Sequence, residues 1–470
     1  MEKSQHPVRR PRVGHSWRTG GLLTGILVAA LALSACGSGG STGKASSTTT
    51  PGSGTAAVVK SLGTGVTADS IKVGITLVDF DCIKAYTDSI RLGQQAVYAA
   101  FIKDINDKGG IAGRKIDPIY KSYCPLTNAP LLTLCTSLTQ DDNVYAVLGT
   151  FFDSSGDAQT CITKQEKRVL LTFDLTQAII DQAPPGLVVT PGTIPERSVN
   201  ILLALAKKEN TLKGKKVAVL GDTSVTKVVT GTIEPGLKNL GVETGTTALL
   251  SINKGGDTTI AQQQLDSFIE KWKSEKVTAV FMSGNFASTK QFVQKLKTAM
   301  PGVLLLADGT NTREQAQQLE ASHVNPNPYD GLITAGGLSP SESDASANWK
   351  FCSEIYTRET GKPAEGEQQI IKSADGKNII DNHGTISDAC QLLWTFHDIG
   401  ARVGQYLNNT NWTNTVNTFG KIANRGSGPY ASLHAGKYST DDNWRLQAFD
   451  SSIKPAGDWK PITPLENVSS

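Results

Sequence analysis

Ser154-Ser155-Gly156 stands where a strand-like run, Val144–Leu148, gives way to a helix-like one. Backbone N–H groups at a helix start, with two hydroxyls beside them, suit a carboxylate or another anion. The same serines would serve equally as a plain helix cap. Small polar ends follow other apolar runs as well. Asp308 follows Val303–Ala307 and precedes Gly309, where it would take a ligand ammonium or close an Asx turn. Thr176 lies in Asp174-Leu175-Thr176, beyond the run Arg168–Phe173. Tyr86 and Phe286 stand near two further strand ends, to pack on a ligand or in the core. All of this is binding chemistry. Reaction chemistry has no matching signature: the folded body carries no G-x-S-x-G elbow, P-loop, dinucleotide G-x-G-x-x-G or H-E-x-x-H. Its histidines, His323, His383, His397 and His434, form no i, i+4 pair, and His383 in Asp381-Asn382-His383-Gly384 reads as a solvated loop residue. No metal or cofactor is expected.

These residues need a frame to bring them together. Ile71–Val78 is a β-branched run of strand length. A helix over Asp88–Asp107 follows, with Ile90, Val97, Phe101 and Ile105 on one face and Gly109-Gly110 as its stop. Strands near Lys115–Tyr120, Val144–Leu148 and Arg168–Phe173 alternate with helices near 131–138 and 157–165. A second series begins after Pro184-Pro185: helices 195–210, one ending at Asn239, 258–275 and 288–300 alternate with strands 216–220, 242–250, 277–281, 303–307 and 331–334. Helices near 344–360 and 387–407 come next, and the Trp/Asn/Gly-rich C-terminal segment is assigned no element. Strand–helix alternation with short connections predicts an α/β fold of two successive domains, crossing near Val188–Pro191. In such sheets ligands sit beyond the carboxyl ends of the strands, where the polar residues above fall.

Composition bounds the rest. At 470 residues, 39% hydrophobic and 19% charged, the chain has ample core and is not disordered. Its 46 basic and 43 acidic residues leave a formal charge of +3, with no general pull toward nucleic acid. Arg9, Arg10, Arg12 and Arg18 precede an apolar stretch, Leu22–Leu33, of secretory-signal type. It ends in Leu33-Ser34-Ala35-Cys36, which looks like a bacterial lipobox with Cys36 as the lipidated residue. A Gly/Ser/Thr-rich tether follows. The other six cysteines are an even number for an oxidising compartment and include no C-x-x-C. Cys352 and Cys390 fall in late helices, far from the other four, and pair with each other; Cys82–Cys124 and Cys135–Cys161 are the expected partners among the rest.

The run Asp104-Ile105-Asn106-Asp107-Lys108-Gly109-Gly110-Ile111-Ala112-Gly113-Arg114-Lys115-Ile116, with Gly93-Gln94-Gln95-Ala96 before it, resembles the type I periplasmic binding proteins. It is most similar to their Leu/Ile/Val-binding branch, the solute receptors of ABC transporters. Ala146–Gly149 with Ser154-Ser155, Lys215–Val219 and Ser387-Asp388-Ala389 agree. The resemblance implies two Rossmann-like lobes with parallel sheets joined by three crossovers. Residues 1–35 are then a lipoprotein signal and 36–65 a tether. One lobe is 66–190 plus 336–430, and the other 191–335 plus 431–470. It implies that Ser154 and Ser155 hold a ligand carboxylate, joined by Thr176, and that Asp308 takes an ammonium. It places Tyr86 in the first loop and Phe286 as an aromatic wall. One departure stands out: Asp222-Thr223-Ser224-Val225-Thr226 lacks the Tyr-Gly common to amino-acid binders. The implied protein is a monomeric, lipid-anchored receptor on the outer face of a bacterial cell membrane. It captures a small polar solute, an amino acid or related amide or acid, and delivers it to a permease and its ATPase. A sensory module feeding a receptor kinase and an extracellular hydrolase are the rival readings.

Overall fold

The computed structural model describes residues 58–469, apart from Tyr86, Asp88, Asn128, Asp153, Ser154, 252–257, Asn285, Phe286, Ser288, 309–315, 317, 318, 320–325 and Ser427. The expectations for the signal, most of the tether and Cys36 therefore lie outside the described residues.

Apolar runs of strand length form two sheets. In the first, β1 (Ser70–Val78), β2 (Lys115–Tyr123), β3 (Ala146–Gly149), β4 (Val169–Leu171) and β5 (Val188–Val189) are all parallel, in the order β2-β1-β3-β4-β5. In the second, β6 (Lys216–Asp222), β7 (Ala279–Met282), β8 (Leu304–Ala307) and β9 (Ile333–Gly336) are parallel neighbours in that order. The short pieces Glu243–Thr244 and Ala248–Leu250 extend one edge of this sheet. At its other edge β10 (Asn443–Asp450) and β11 (Asp458–Pro461) run antiparallel, so the second sheet is mixed. The C-terminal segment, to which the sequence reading assigns no element, supplies those strands.

Alternation along each strand fills both faces of each sheet. Ala146 and Leu148 of β3 pack with Val73, Ile75 and helices α1 (Gln94–Asp107), α5 (Ala347–Thr360) and α6 (Asn382–Val403). Val147 faces the other way, into a smaller cluster with Leu138, Cys135 and Cys161. In the second sheet Val217 and Val219 face helix α2 (Pro195–Lys208), whereas Ala218 and Leu220 face Trp272 of α3 (Thr259–Ser274) and Phe292 of α4 (Lys290–Ala299). Helix α2 has its sequence signals in place: Pro195 in the first turn, Glu196 beside it and Lys207 and Lys208 in the last turn, matched to the helix dipole. Three disulfides close as expected from the sequence: Cys82–Cys124, Cys135–Cys161 and Cys352–Cys390, with Cα separations of 5.9, 6.2 and 5.9 Å.

The chain passes between the sheets three times, after Val189, after Gly336 and before Asn443. The first and third passages are bonded to each other. The Thr190 N–H donates to Tyr438 O and the Thr440 N–H to Thr190 O, both at 2.9 Å. Pro191 O accepts from Thr440 Oγ1 at 2.5 Å and Asn424 Nδ2 at 2.9 Å. Beside them Asp442 is held by Arg197 at 2.9 Å and Lys437 at 3.0 Å. Burial and the Arg197 charge push the Lys437 ammonium down to about 8.

Three local expectations are corrected. Helix α1 starts at Gln94 instead of Asp88, because Gly93 turns the chain at φ +65° and Ser89–Ile90 pairs with Ile379–Ile380. The expected strand over 242–250 breaks in the middle, where the Glu275 carboxylate takes the Thr246 N–H at 2.8 Å and its hydroxyl at 2.6 Å. His383 is not a solvated loop residue. Asp381 caps helix α6 through the Gly384 N–H at 2.6 Å, which places His383 in the first turn, stacked on Trp349 at 4.3 Å.

Candidate functional site

Both sheets end in polar side chains at their carboxyl edges. In the first sheet the loop after β3 is fixed before any ligand arrives. Gly149 has φ +140°, a conformation glycine tolerates, and lies against Thr76. The next carbonyl, Thr150 O, accepts from Thr76 Oγ1 at 3.2 Å and from the Tyr123 hydroxyl at 3.1 Å. That hydroxyl in turn accepts the Phe152 N–H at 3.0 Å. The Phe151 N–H donates to Asp174 Oδ2 at 2.8 Å, so the loops after β3 and β4 are joined. Ser155 is exposed on this platform, its Oγ accepting the Asp157 N–H at 3.2 Å. Gly156, and not a serine, stands at the cap of the short helix Asp157–Thr160. Ser155 is thus a turn residue with its hydroxyl at the surface. Ser154, Tyr86 and Phe286 lie outside the described residues.

Thr176 precedes the helix Gln177–Gln182 and makes no capping hydrogen bond with its side chain. The Gln177 N–H beside it donates to Glu196 Oε2 at 3.1 Å, in the first turn of α2. Two residues on, Ser198 Oγ donates to Asp308 O at 2.8 Å. One helix start therefore touches the end of each sheet, and brings Thr176 and Asp308 into one neighbourhood.

Asp308 is buried at the end of β8. Its Oδ2 accepts from Ser283 Oγ at 2.7 Å and from the Gly284 N–H at 3.0 Å. Burial pushes the carboxyl up, and the nearby Asp222 charge adds to that. Asp222, at the end of β6, accepts the Ser224 N–H at 2.8 Å. This is how the departure at residues 222–226 is used: the segment begins with a capped turn, Thr223–Val225, whose aspartate is a second acid on the same rim.

Sequence reasoning gave no role to the charge network behind the first rim. Arg91 pairs with Asp381 at 2.9 Å and also with Asp388. Burial pushes the Asp388 carboxyl up, against the pull of Arg91. These partners lie almost 300 residues apart in the chain, so no local spacing announces them. Asp174 stands near this network. Burial pushes it up to about 7, partly offset by the Phe151 N–H. A carboxyl raised on folding binds protons that the unfolded chain does not. The stability that Asp174 contributes is therefore lost as pH rises from about 4 to 7. Asp174→Asn keeps an acceptor for Phe151 and removes the charge. It is expected to flatten that slope and raise stability at pH 8 by about 2 kcal/mol, read from urea unfolding at pH 5 and pH 8.

Among the described residues no cluster of histidine, cysteine, aspartate or glutamate could hold a metal, and no helix is long and apolar enough to cross a membrane. Two α/β lobes, each ending in a polar rim and joined by three passages, define the two-lobed binding-protein class. The periplasmic binding protein family model matches residues 85–371, more than half of the chain, and the protein belongs to that family. A search of the curated proteins finds no match. Solved structures share the fold at low identity. A solute-binding protein of an ABC transporter from Rhodopseudomonas palustris BisB5, in complex with 3,4-dihydroxy benzoic acid, is 16% identical with a TM-score of 0.59. That match covers 86% of this chain and 98% of the other. A fatty acid ABC transporter substrate-binding protein from Thermomonospora curvata is 15% identical, TM-score 0.58, over 86% and 94%. The branched-chain amino acid binding protein LivJ from Streptococcus pneumoniae, in complex with isoleucine, is 14% identical, TM-score 0.55, over 84% and 100%.

Proposed function

We propose that this protein is the lipid-anchored, extracytoplasmic solute receptor of an ABC importer. It acts as a monomer that takes a small polar solute, an amino acid or a related amide or acid, between its two rims. The observation that carries this reading is the shared helix start that bonds Gln177 beside Thr176 and also Asp308. A ligand between those residues would touch both lobes, so its contacts would favour the closed state. 3,4-Dihydroxy benzoic acid, isoleucine and fatty acids, the solutes that name the three proteins above, all carry a carboxylate. Here Ser154, Ser155 and Thr176 would hold that group, with Tyr86 and Phe286 as aromatic walls. Asp308 would meet an ammonium, with Asp222 reinforcing the negative potential. Mechanism is capture and hand-over to a permease and its ATPase, with no bond made or broken. The lobes are read as 66–190 plus 336–430 and 191–335 plus 431–470.

Thermal unfolding of oxidised protein against amino acids, amides, polyamines, sugars and small acids tests this. A solute at a hundred times its dissociation constant adds about 2.7 kcal/mol and raises the midpoint visibly. The shift is expected to vanish in Ser155→Ala and in Asp308→Ala. A hit that survives both substitutions would place the ligand elsewhere, and no hit with well-folded protein would overturn the receptor reading.

A further inference from the structure

Three neighbouring strands of the second sheet, β6, β7 and β8, end in Asp222, Ser283-Gly284 and Asp308. Strands spaced about 4.8 Å apart set the two acids roughly 10 Å apart at the backbone, with Gly284 between them. Both side chains lean toward it. Asp308 Oδ2 accepts the Gly284 N–H at 3.0 Å, and Asp222 Oδ2 lies 3.3 Å from where a Cβ on Gly284 would stand. One residue thus touches both carboxylates, and a single small molecule beside it would reach both.

The fold gives neither acid a counter-charge. Asp104 and Asp442 are comparably buried, and each is paired with two cations: Lys108 and Arg358 hold the first, Arg197 and Lys437 the second. Asp222 and Asp308, 4% and 7% exposed, form no ion pair among the described residues. Their bonds come from neutral donors and use one oxygen each. Ser283 and Gly284 occupy Asp308 Oδ2, and the N–H and hydroxyl of Ser224 occupy Asp222 Oδ1. Asp308 Oδ1 and Asp222 Oδ2 have no partner among the described residues, and neither is among the enclosed polar atoms. Burial and then the Asp222 charge push the Asp308 carboxyl up. A buried carboxylate is costly unless paired, and a like charge beside it adds to the cost. Calcium takes about six to eight oxygens, more than two carboxylates offer. An organic cation needs only one acid per charge.

We infer that the solute taken between the rims is a cationic amino acid. Its α-ammonium meets Asp308, its side-chain cation meets Asp222, and its carboxylate meets the hydroxyls of the first rim. This rests on the receptor reading above and narrows it from polar solutes in general to those with two positive charges. It gives Asp222 a role beyond capping the turn Thr223–Val225.

Isothermal titration calorimetry of the oxidised protein tests the inference by comparing L-arginine with L-citrulline and L-lysine with L-norleucine. The second member of each pair lacks the side-chain charge. The cationic member is expected to bind at least roughly tenfold tighter. Asp222→Asn keeps an acceptor for the Ser224 N–H and removes the charge. It is expected to bring each pair to within about threefold, while citrulline is held as in the parent. A neutral member bound as tightly as its cationic partner, or a preference that persists in Asp222→Asn, would overturn the inference. So would no binding of arginine or lysine. In each of these cases the receptor reading stands if any solute of the wider panel still shifts the melting midpoint. Silence across the whole panel would overturn both.

Discussion

Gly149→Val is expected to destabilise the protein by about 3–5 kcal/mol, read as a fall in the urea midpoint at unchanged slope. A Cβ at this position would lie 2.2 Å from Thr76 Oγ1 and 2.5 Å from Thr76 O, on a backbone at φ +140°. Threonine is held there by β1 on one side and by Thr150 O on the other, so neither partner can retreat cheaply. The companion variant separates the contributions. Thr76→Ala removes the nearer atom but leaves the carbonyl and the torsion, so Gly149→Ala stays destabilising in that background. If Gly149→Val folds with parental stability, the loop after β3 is not fixed as described. Because Thr150, Phe151 and Phe152 are all anchored from this point, the variant should also weaken solute binding in whatever fraction remains folded.

The second large effect is the loss of Cys352–Cys390. Both half-cystines are buried, at 1% and 0% exposure, and they join α5 to α6 under the first sheet. For a sequence separation of 38, chain entropy alone gives a contribution of about 3–4 kcal/mol. Replacing both by alanine adds small cavities in that core. The expected result is a melting midpoint lower by roughly 5 °C, matched by the parent under strong reductant as far as this bridge is reduced. A double variant that melts with the parent would show that α5 and α6 are held by packing alone.

What the sequence made legible, it did through periodicity and punctuation. Val217 to Leu220 and Ala279 to Met282 are short apolar runs bounded by helices, and they are strands of a buried sheet. Cys352 and Cys390 could be paired because strand–helix order put both in late helices, whereas the other four cluster in the first α/β units, where that order does not choose between their pairings. Strand β10 was illegible for a physical reason: its polar residues are inside. Asn443, Arg445 and Gln447 are all buried, and Arg445 is paired with Glu342 from the helix Pro340–Ala345. The residues do alternate, Asn443-Trp444-Arg445-Leu446-Gln447-Ala448, but a polar set that is buried and paired instead of solvated does not read as the outer face of a sheet. Ser155, Thr176 and Asp308 could be named as candidates because each follows a strand. Arg91 and Asp388 were not, since their meeting depends on α6 returning to the first sheet long after α1 has formed.

The bonding between the first and third passages has a mechanical meaning. Two chain segments laid side by side and cross-bonded, Thr190–Pro191 against Tyr438–Thr440, behave as a two-ply strap. Such a strap bends easily across its flat face. It resists twist about its own length and sideways slip, because either motion would shear the bonds that unite its plies. Asp442, gripped by Arg197 and Lys437, pins one end of the strap to the start of α2, the helix that touches both rims. Of the rotations open to two bodies joined by three threads, one is left soft. In the closure proposed above, that axis would carry the motion to the helix turn bonded to Gln177 and Asp308, and the lobes would meet in the same register each time.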